Sequence, residues 1–500
     1  MDHHDDPTKV VPIVVMVPFI SHGHLNQLIH LSNIVSKYNI PVHLVCTATS
    51  LAQARTRLDS VLATNHMINF HEFTTPPFAS PPPDPSIAFP AHQQSSFEST
   101  LHLRHPVGDL VTLLSKTAAR VVVIHDTLMS YVVQDVVSIP NVETYNFRPL
   151  SAFYYFCDFW DKLGRPFEVD DMNMIYNKLP SKDGIVTPEF KAFARLQYPH
   201  MDNVVGDLYD SSRVIEAEYI DYLERQEISG KKKIWAIGPI NHVQIESDVM
   251  KNRHHCLRWL DEQSKNSVIY VSFGTTTTFS KDQIRELAIG LEKSGKRFIW
   301  VVRAADVGDV VGFQDGLVEL PDGFEERVKG RGLIERGWAP QSEILGHFAT
   351  GGFMSHCGWN SCMESMSMGV PMATWPMHSD QPRNMVLITQ VLGIGVVVKD
   401  WEHRDELVRD VVVKEAVEKL MGSKEGDEMR KSAAMLGDRI KKSTMEGGST
   451  SWMAVGRRKG LWEKLESSEW LPTEPPPLLA VGGGDDGQKK TKKSKGKNVF

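Results

Sequence analysis

The stretch Trp338–Gln381 reads WAPQSEILGHFATGGFMSHCGWNSCMESMSMGVPMATWPMHSDQ. Its centre, GGFMSHCGWNS, is an apolar run that breaks at a tight glycine turn and opens a helix at Asn360 and Ser361. A helix N-terminus carries exposed N–H groups and the positive end of the dipole, so it attracts anions. His356 beside the turn adds a donor or a positive charge, and Gly358 permits a tight backbone path. Together they make a cradle for a diphosphate. Glu364 falls one helical turn past Asn360 and could accept from ribose hydroxyls. Trp338 offers a flat face to a base. Asp380 and Gln381 end the next strand–loop unit and offer acceptors and donors to a polyol such as a sugar.

On both sides of this stretch, short β-branched apolar runs alternate with helical periods. Strands are expected at Val10–Pro18, Pro41–Thr47, Arg120–His125, Val142–Phe147, Ser267–Phe273 and Arg297–Val302, with later ones near Met354, Val370–Trp375 and Gly393–Val398. Helices are expected at Leu25–Tyr38, Leu51–Leu62, Leu128–Val137 and Lys281–Ser294. Strands buried on both faces and separated by helices form parallel βαβ units. The series breaks once, where Ile234–Ile240 (IWAIGPI) runs into the polar stretch Asn241–Asn252 and reads as an interdomain connection. The expected fold class is α/β, with two Rossmann-like doubly wound domains facing a cleft. The expected division is 1–240 for an acceptor-binding domain, 241–254 for a linker and 255–450 for the donor-binding domain. A helix returning to the first domain is expected at 451–470, and a disordered tail at 471–500.

Thr74–Gln93 is proline-rich, and Ala304–Gly316 is rich in Gly, Asp and Val; both read as surface loops. The tail from Pro472 has almost nothing to bury. A chain of 500 residues exceeds one core. Its net charge of -7 disfavours a nucleic-acid partner. Five scattered cysteines fit reduced thiols rather than a disulfide framework. The N-terminus MDHHDDPTKV is acidic, unlike a secretory signal, and the apolar run Val10–Ile20 is too short to span a bilayer. A cytoplasmic monomer with no membrane contact is the expectation.

The donor stretch resembles the 44-residue signature of plant family 1 UDP-glycosyltransferases, ungapped from Trp338 to Gln381. That resemblance implies a GT-B fold with a UDP-sugar held mainly by the second domain. By carry-over, Trp338 stacks on uracil, with Ala339 beside it, and Gln341 and Glu364 bind ribose. His356, Gly358, Asn360 and Ser361 take the diphosphate. Trp359, Asp380 and Gln381 contact the sugar. A glutamine at the last position accompanies glucose in the family, so Gln381 points to UDP-glucose. SFGT at Ser272–Thr275 is a second donor element. Thr275 stands where the family usually has serine and keeps the hydroxyl for a phosphate contact. No cofactor is implied beyond the donor substrate. The stretches VPFISHGHLNQLIHLSNIV, RVVVIHDTLMSYVVQDV and WPMHSDQPRNMVLITQVL resemble the zeatin O-glucosyltransferase branch, whose acceptors are cytokinin hydroxyls. Flavonoid, terpenoid or phenolic acceptors, another UDP-sugar, or a non-catalytic binder are the competing readings.

Transfer to an alcohol needs a base to take the hydroxyl proton, and histidine titrates near neutrality. His22 and His24 follow the first strand, and His125-Asp126 ends another strand on the same sheet edge. The resemblance assigns the base to His24 and its carboxylate partner to Asp126. His22 stands where family members carry glutamine and remains the second candidate. No metal is expected: a His-x-His pair suits one, but the donor stretch explains the chain without it. His356, Cys357 and Cys362 lack the second pair of a closed zinc site.

Overall fold

The computed structural model describes residues 12–48, 50–51, 67–164, 179–225, 232–240, 253–302 and 318–445. Two parallel sheets organise it. The first contains β1 (Ile13–Val17), β2 (Val42–Thr47), β3 (Ile68–Phe73), β4 (Val121–Asp126), β5 (Val142–Arg148), β6 (Gly206–Tyr209) and β7 (Lys233–Ala236). Their spatial order is β3-β2-β1-β4-β5-β6-β7. The second contains β8 (Val268–Ser272), β9 (Arg297–Val301), β10 (Gly332–Glu335), β11 (Thr350–Ser355), β12 (Met372–Thr374) and β13 (Gly395–Val397), in the order β10-β9-β8-β11-β12-β13. The central strands are the ones with continuous apolar runs. IVVMV of β1, VVVIHD of β4 and VIYVS of β8 are buried almost throughout.

Each sheet winds outward in one direction, returns to its centre and winds the other way. The switch therefore falls between β1 and β4 in the first sheet and between β8 and β11 in the second. The register is flush at both places: Val17 pairs with His125, and Ser272 with Ser355. Ligands of such sheets bind beyond the carboxyl ends of the strands at the switch point. The segments carrying His24, Asp126, Thr275 and His356 all leave from there.

The two halves share an apolar cluster. Phe153, Trp160 and Tyr219 from the first half join Cys357, Trp359, Met363 and Met385 from the second. The helix Lys424–Thr444 also touches the first half, where Arg439 donates to the Val214 carbonyl. Met363, Met366 and Met372 are buried, so the methionine-rich stretch packs the core. All five cysteines are buried, and none is in a disulfide. No helix among the described residues is long and apolar enough to cross a membrane.

Several expectations need correction. Ile234–Ala236 is not part of a connection but lies in edge strand β7, paired with β6. Leu128–Val137 is not an α-helix; it holds two 3-10 turns, Thr127–Met129 and Val136–Ser138. Met129, Val132, Val133 and Val136 are buried at helical spacing, but the backbone closes three-residue bonds, Val132 to Met129 and Val136 to Val133, and its four valines are poor helix formers. Strands β3, β6, β7 and β10 were not anticipated. They are outer or short, with polar residues interrupting the apolar run. The Thr74–Gln93 segment is irregular as far as Pro90, yet Phe89 is buried in the core of the first half. Most of Leu51–Leu62, nearly all of the linker 241–254, and the whole of Ala304–Gly316, of the expected 451–470 helix and of the tail lie outside the described residues.

Candidate active site

His24 lies in the first turn of the helix Ser21 caps, His22–Ser36, rather than in a loop, and Asp126 is the last residue of β4. His24 Nδ1 sits 2.8 Å from Asp126 Oδ2. The other carboxylate oxygen, Oδ1, accepts from the Leu128 N–H at 2.8 Å. Asp126 therefore caps the following turn and orients the histidine at once. With Nδ1 donating to the carboxylate, Nε2 keeps its lone pair free to take a proton. Two residues apart on a helix means roughly 200° around the axis, so His22 cannot share this partner. His22 is buried. His24 is about 20% exposed, and the edge of Phe19 packs on it at 5.5 Å between ring centres. Burial pushes the imidazole down, but the Asp126 charge and hydrogen bond, helped by Asp380, outweigh it and hold His24 above its ordinary pKa.

Asp380 belongs to the other half, so that influence on His24 puts the end of the donor stretch opposite the dyad. Burial raises Asp380 to about 6, against hydrogen bonds and the His24 charge that lower it. Asn384 donates to its Oδ2 at 2.5 Å. Gln381 is oriented by its neighbours: its Oε1 accepts the N–H groups of Met377 and His378 at 2.8 and 3.0 Å. Its amide nitrogen lies 3.4 Å from His378 Nε2, and the residue is buried.

The cradle forms where β11 runs into the helix Trp359–Met368, whose N-cap Gly358 supplies no side-chain cap. The N–H groups of its first turn are thus open to an anion. The left-handed residue of the turn is Cys357, at φ 65°, not Gly358. Glycine is needed at 358 for a different reason: a Cβ there would stand 2.5 Å from His356 Nε2. A Cβ on Gly274, at φ 77°, would stand 2.9 Å from the same atom. The imidazole is therefore held between two glycine backbones, with Thr275 adjoining. Burial pushes His356 down to about 4. Of the two readings offered by the sequence, that shift favours the neutral hydrogen-bonding one.

Other donor-stretch residues bond to one another. Gln341 Nε2 donates to Ser361 Oγ at 3.0 Å and to Glu364 Oε2 at 2.5 Å, and Ser342 donates to Glu364 Oε1 at 2.9 Å. Burial raises Glu364, against those two bonds. Asn360 faces the first half instead, donating to the Gly23 carbonyl at 2.9 Å and accepting from Gln27. The indole N–H of Trp359 donates across to the first half, to the Asp210 carbonyl at 2.7 Å. Ala339 is buried, leaving only its backbone for a ligand, whereas Trp338 is 52% exposed.

Sequence reading missed the aromatic wall beside His24. Phe19 packs on Phe97 and Phe193, Phe89 on Phe190 and on His378. These residues come from four separate segments, and only the fold brings them together. It also missed Gln27, whose amide joins Pro149 and Asn360.

A diphosphate cradle at one switch point, facing a histidine–aspartate dyad at the other, defines a sugar-nucleotide-dependent transferase of the GT-B type. The family model described as UDP-glucoronosyl and UDP-glucosyl transferase matches residues 241–433, and that described as glycosyltransferase, N-terminal domain, matches 9–242. The chain belongs to the UDP-glycosyltransferase family and is an enzyme of that kind. It is 51% identical to the zeatin O-glucosyltransferase of Phaseolus lunatus, over 90% of this chain and 96% of that protein. It is 50% identical to the zeatin O-xylosyltransferase of Phaseolus vulgaris, over 89% and 96% respectively. Among solved structures it resembles Phytolacca americana UGT2 complexed with UDP-2fluoro-glucose and pterostilbene, with a TM-score of 0.68 and 28% identity over 92% of this chain and 99% of that one.

Proposed function

We propose that this enzyme transfers glucose from UDP-glucose to the side-chain hydroxyl of a zeatin-type cytokinin, with inversion at the anomeric carbon. The observation that carries the chemistry is the His24–Asp126 dyad standing opposite Asp380. His24 Nε2 takes the acceptor proton as the oxygen attacks C1 of the α-linked sugar. The C1–O bond to UDP breaks on the opposite face and a β-glucoside results. Charge growing on the diphosphate meets the open helix N-terminus, neutral His356 and the Thr275 hydroxyl. Trp338 carries uracil, while Gln341 and Glu364 turn from each other to ribose. Asp380 and Gln381 hold the sugar. The aromatic wall around Phe19 suits a flat apolar acceptor such as a purine. The division is read as a first domain to residue 240, a linker at 241–254 and a donor domain from 255, working as a cytoplasmic monomer.

Trp338→Ala is expected to weaken UDP binding by roughly 5- to 150-fold, since stacking of a base on an aromatic contributes about 1–3 kcal/mol. Calorimetry with UDP measures it, and its exposure leaves the melting temperature unchanged. Glu364→Ala also loses affinity, and unlike Trp338→Ala it lowers stability, because Gln341 and Ser342 each lose an acceptor.

UDP-xylose is the second reading for the donor, favoured by the near-equal identity to the xylosyltransferase. Competition of uniformly ¹³C-labelled UDP-glucose with unlabelled UDP-xylose and UDP-galactose for trans-zeatin, read by mass spectrometry, tests the assignment, the label separating the two hexosides by mass. The hexoside from glucose should exceed that from galactose by at least about tenfold, since one lost hydrogen bond in the cleft costs about 1–3 kcal/mol. A dominant pentoside would reassign the donor to xylose and leave the dyad chemistry standing.

A further inference from the structure

Beside Trp338, four metal-ligating side chains converge. His254, His255 and Cys256 open the helix His255–Asp261, and Glu335 ends β10. Their donor atoms all lie within 4.8 Å of one another. Cys256 Sγ is 3.5 Å from Glu335 Oε2 and 3.7 Å from His255 Nε2. Glu335 Oε2 is 2.9 Å from His255 Nε2 and 3.9 Å from His254 Nε2. A tetrahedron with zinc-ligand bonds of about 2.0–2.3 Å has edges of about 3.3–3.7 Å. The observed separations straddle those edges before any ion has drawn the atoms in.

Simple pairing explains the cluster less well. A surface His–Glu pair needs no thiol beside it, and here Cys256 and Glu335 are both buried. We propose that His254, His255, Cys256 and Glu335 form a binding site for a zinc-class divalent cation. Thiolate, imidazole and a single carboxylate select zinc or cobalt over magnesium or calcium, which want oxygen ligands. On binding, the Cys256 S–H bond breaks, its proton goes to solvent and an S–metal bond forms. His254 Nδ1 accepts the Cys256 N–H at 3.3 Å. Ligation through Nε2 moves the ring proton to Nδ1 and gives up that long cap.

The site is wired to the donor platform. Glu335 Oε1 accepts the Gly337 N–H at 2.6 Å, and the His254 ring stands edge-on to Trp338 at 6.4 Å. A bound ion ties the first turn of the helix to the loop that presents Trp338. The proposal stands independently of the donor and acceptor assignments.

Cobalt titration of the untagged, chelator-treated full-length chain tests it. One equivalent of Co²⁺ should give the intense visible bands of tetrahedral cobalt and a near-ultraviolet thiolate band, both bleached by Zn²⁺. Cys256→Ser should lose the thiolate band. His255→Ala, at a position 46% exposed, should keep the melting temperature and weaken Co²⁺ binding at least about tenfold, as even outer-shell losses cost about 10–100-fold. The weak bands of octahedral cobalt in the parent chain, or a thiolate band unchanged in Cys256→Ser and an affinity unchanged in His255→Ala, would overturn the site.

Discussion

His24→Ala is expected to lower kcat/KM by about 10²–10⁴-fold, the usual contribution of a positioned general base, while UDP binds as before. The separation follows from the architecture. His24 sits at the switch point of the first sheet, and the cradle around His356 sits at the switch point of the second. No side-chain atom of His24 is needed to hold the nucleotide. Its backbone N–H is bonded to the Ser21 carbonyl, which alanine preserves. The contrast is His22→Ala, which removes a side chain pointing away from Asp126 and should retain most of the turnover. Steady-state kinetics on both variants, paired with UDP calorimetry, read the outcome. Normal turnover in His24→Ala with loss in His22→Ala would move the base to His22.

What could be read beforehand follows from how local each feature is. The cradle is one strand, one turn and one helix start within a dozen residues, so its chemistry is written contiguously from Gly351 to Ser361. Central strands such as β1 and β4 are continuous apolar runs because both faces are covered. Contacts across the cleft left no such trace. Gln27 and Asn360 are 333 residues apart, and neither carries a pattern that names the other. Local reading also could not show which partners these side chains take within the protein. The Trp359 indole N–H goes to the Asp210 carbonyl of the first half, and the Asn360 amide joins Gly23 and Gln27. The His254–Cys256 run went unread, because Glu335, which lies beside it in the fold, is 79 residues beyond Cys256.

Asp126→Asn should be nearly as damaging as loss of the base, although it changes one atom. Asp126 uses its oxygens for two different jobs. Oδ1 accepts from the Leu128 N–H, and Oδ2 faces His24 Nδ1. In asparagine the single oxygen is claimed by the Leu128 N–H, so the amide nitrogen must turn to His24. An N–H donor there forces Nδ1 to accept, which places the ring proton on Nε2, the atom that should receive the acceptor's proton. A wrong tautomer with intact geometry costs about 10⁴-fold in the serine-protease triad; a loss of roughly 10²–10⁴-fold is expected here. The pH profile separates this from a merely structural defect. In the parent enzyme kcat/KM should climb with pH through a midpoint above 6.5, because neutral His24 is the active form and Asp126 holds its pKa up against burial. Asparagine removes the charge and the hydrogen bond that raise it and leaves burial, which lowers it. The residual activity of Asp126→Asn should therefore rise at lower pH than that of the parent. A midpoint that stays in place while the rate falls would mean that Asp126 only caps its turn, and that His24 draws its basicity from elsewhere.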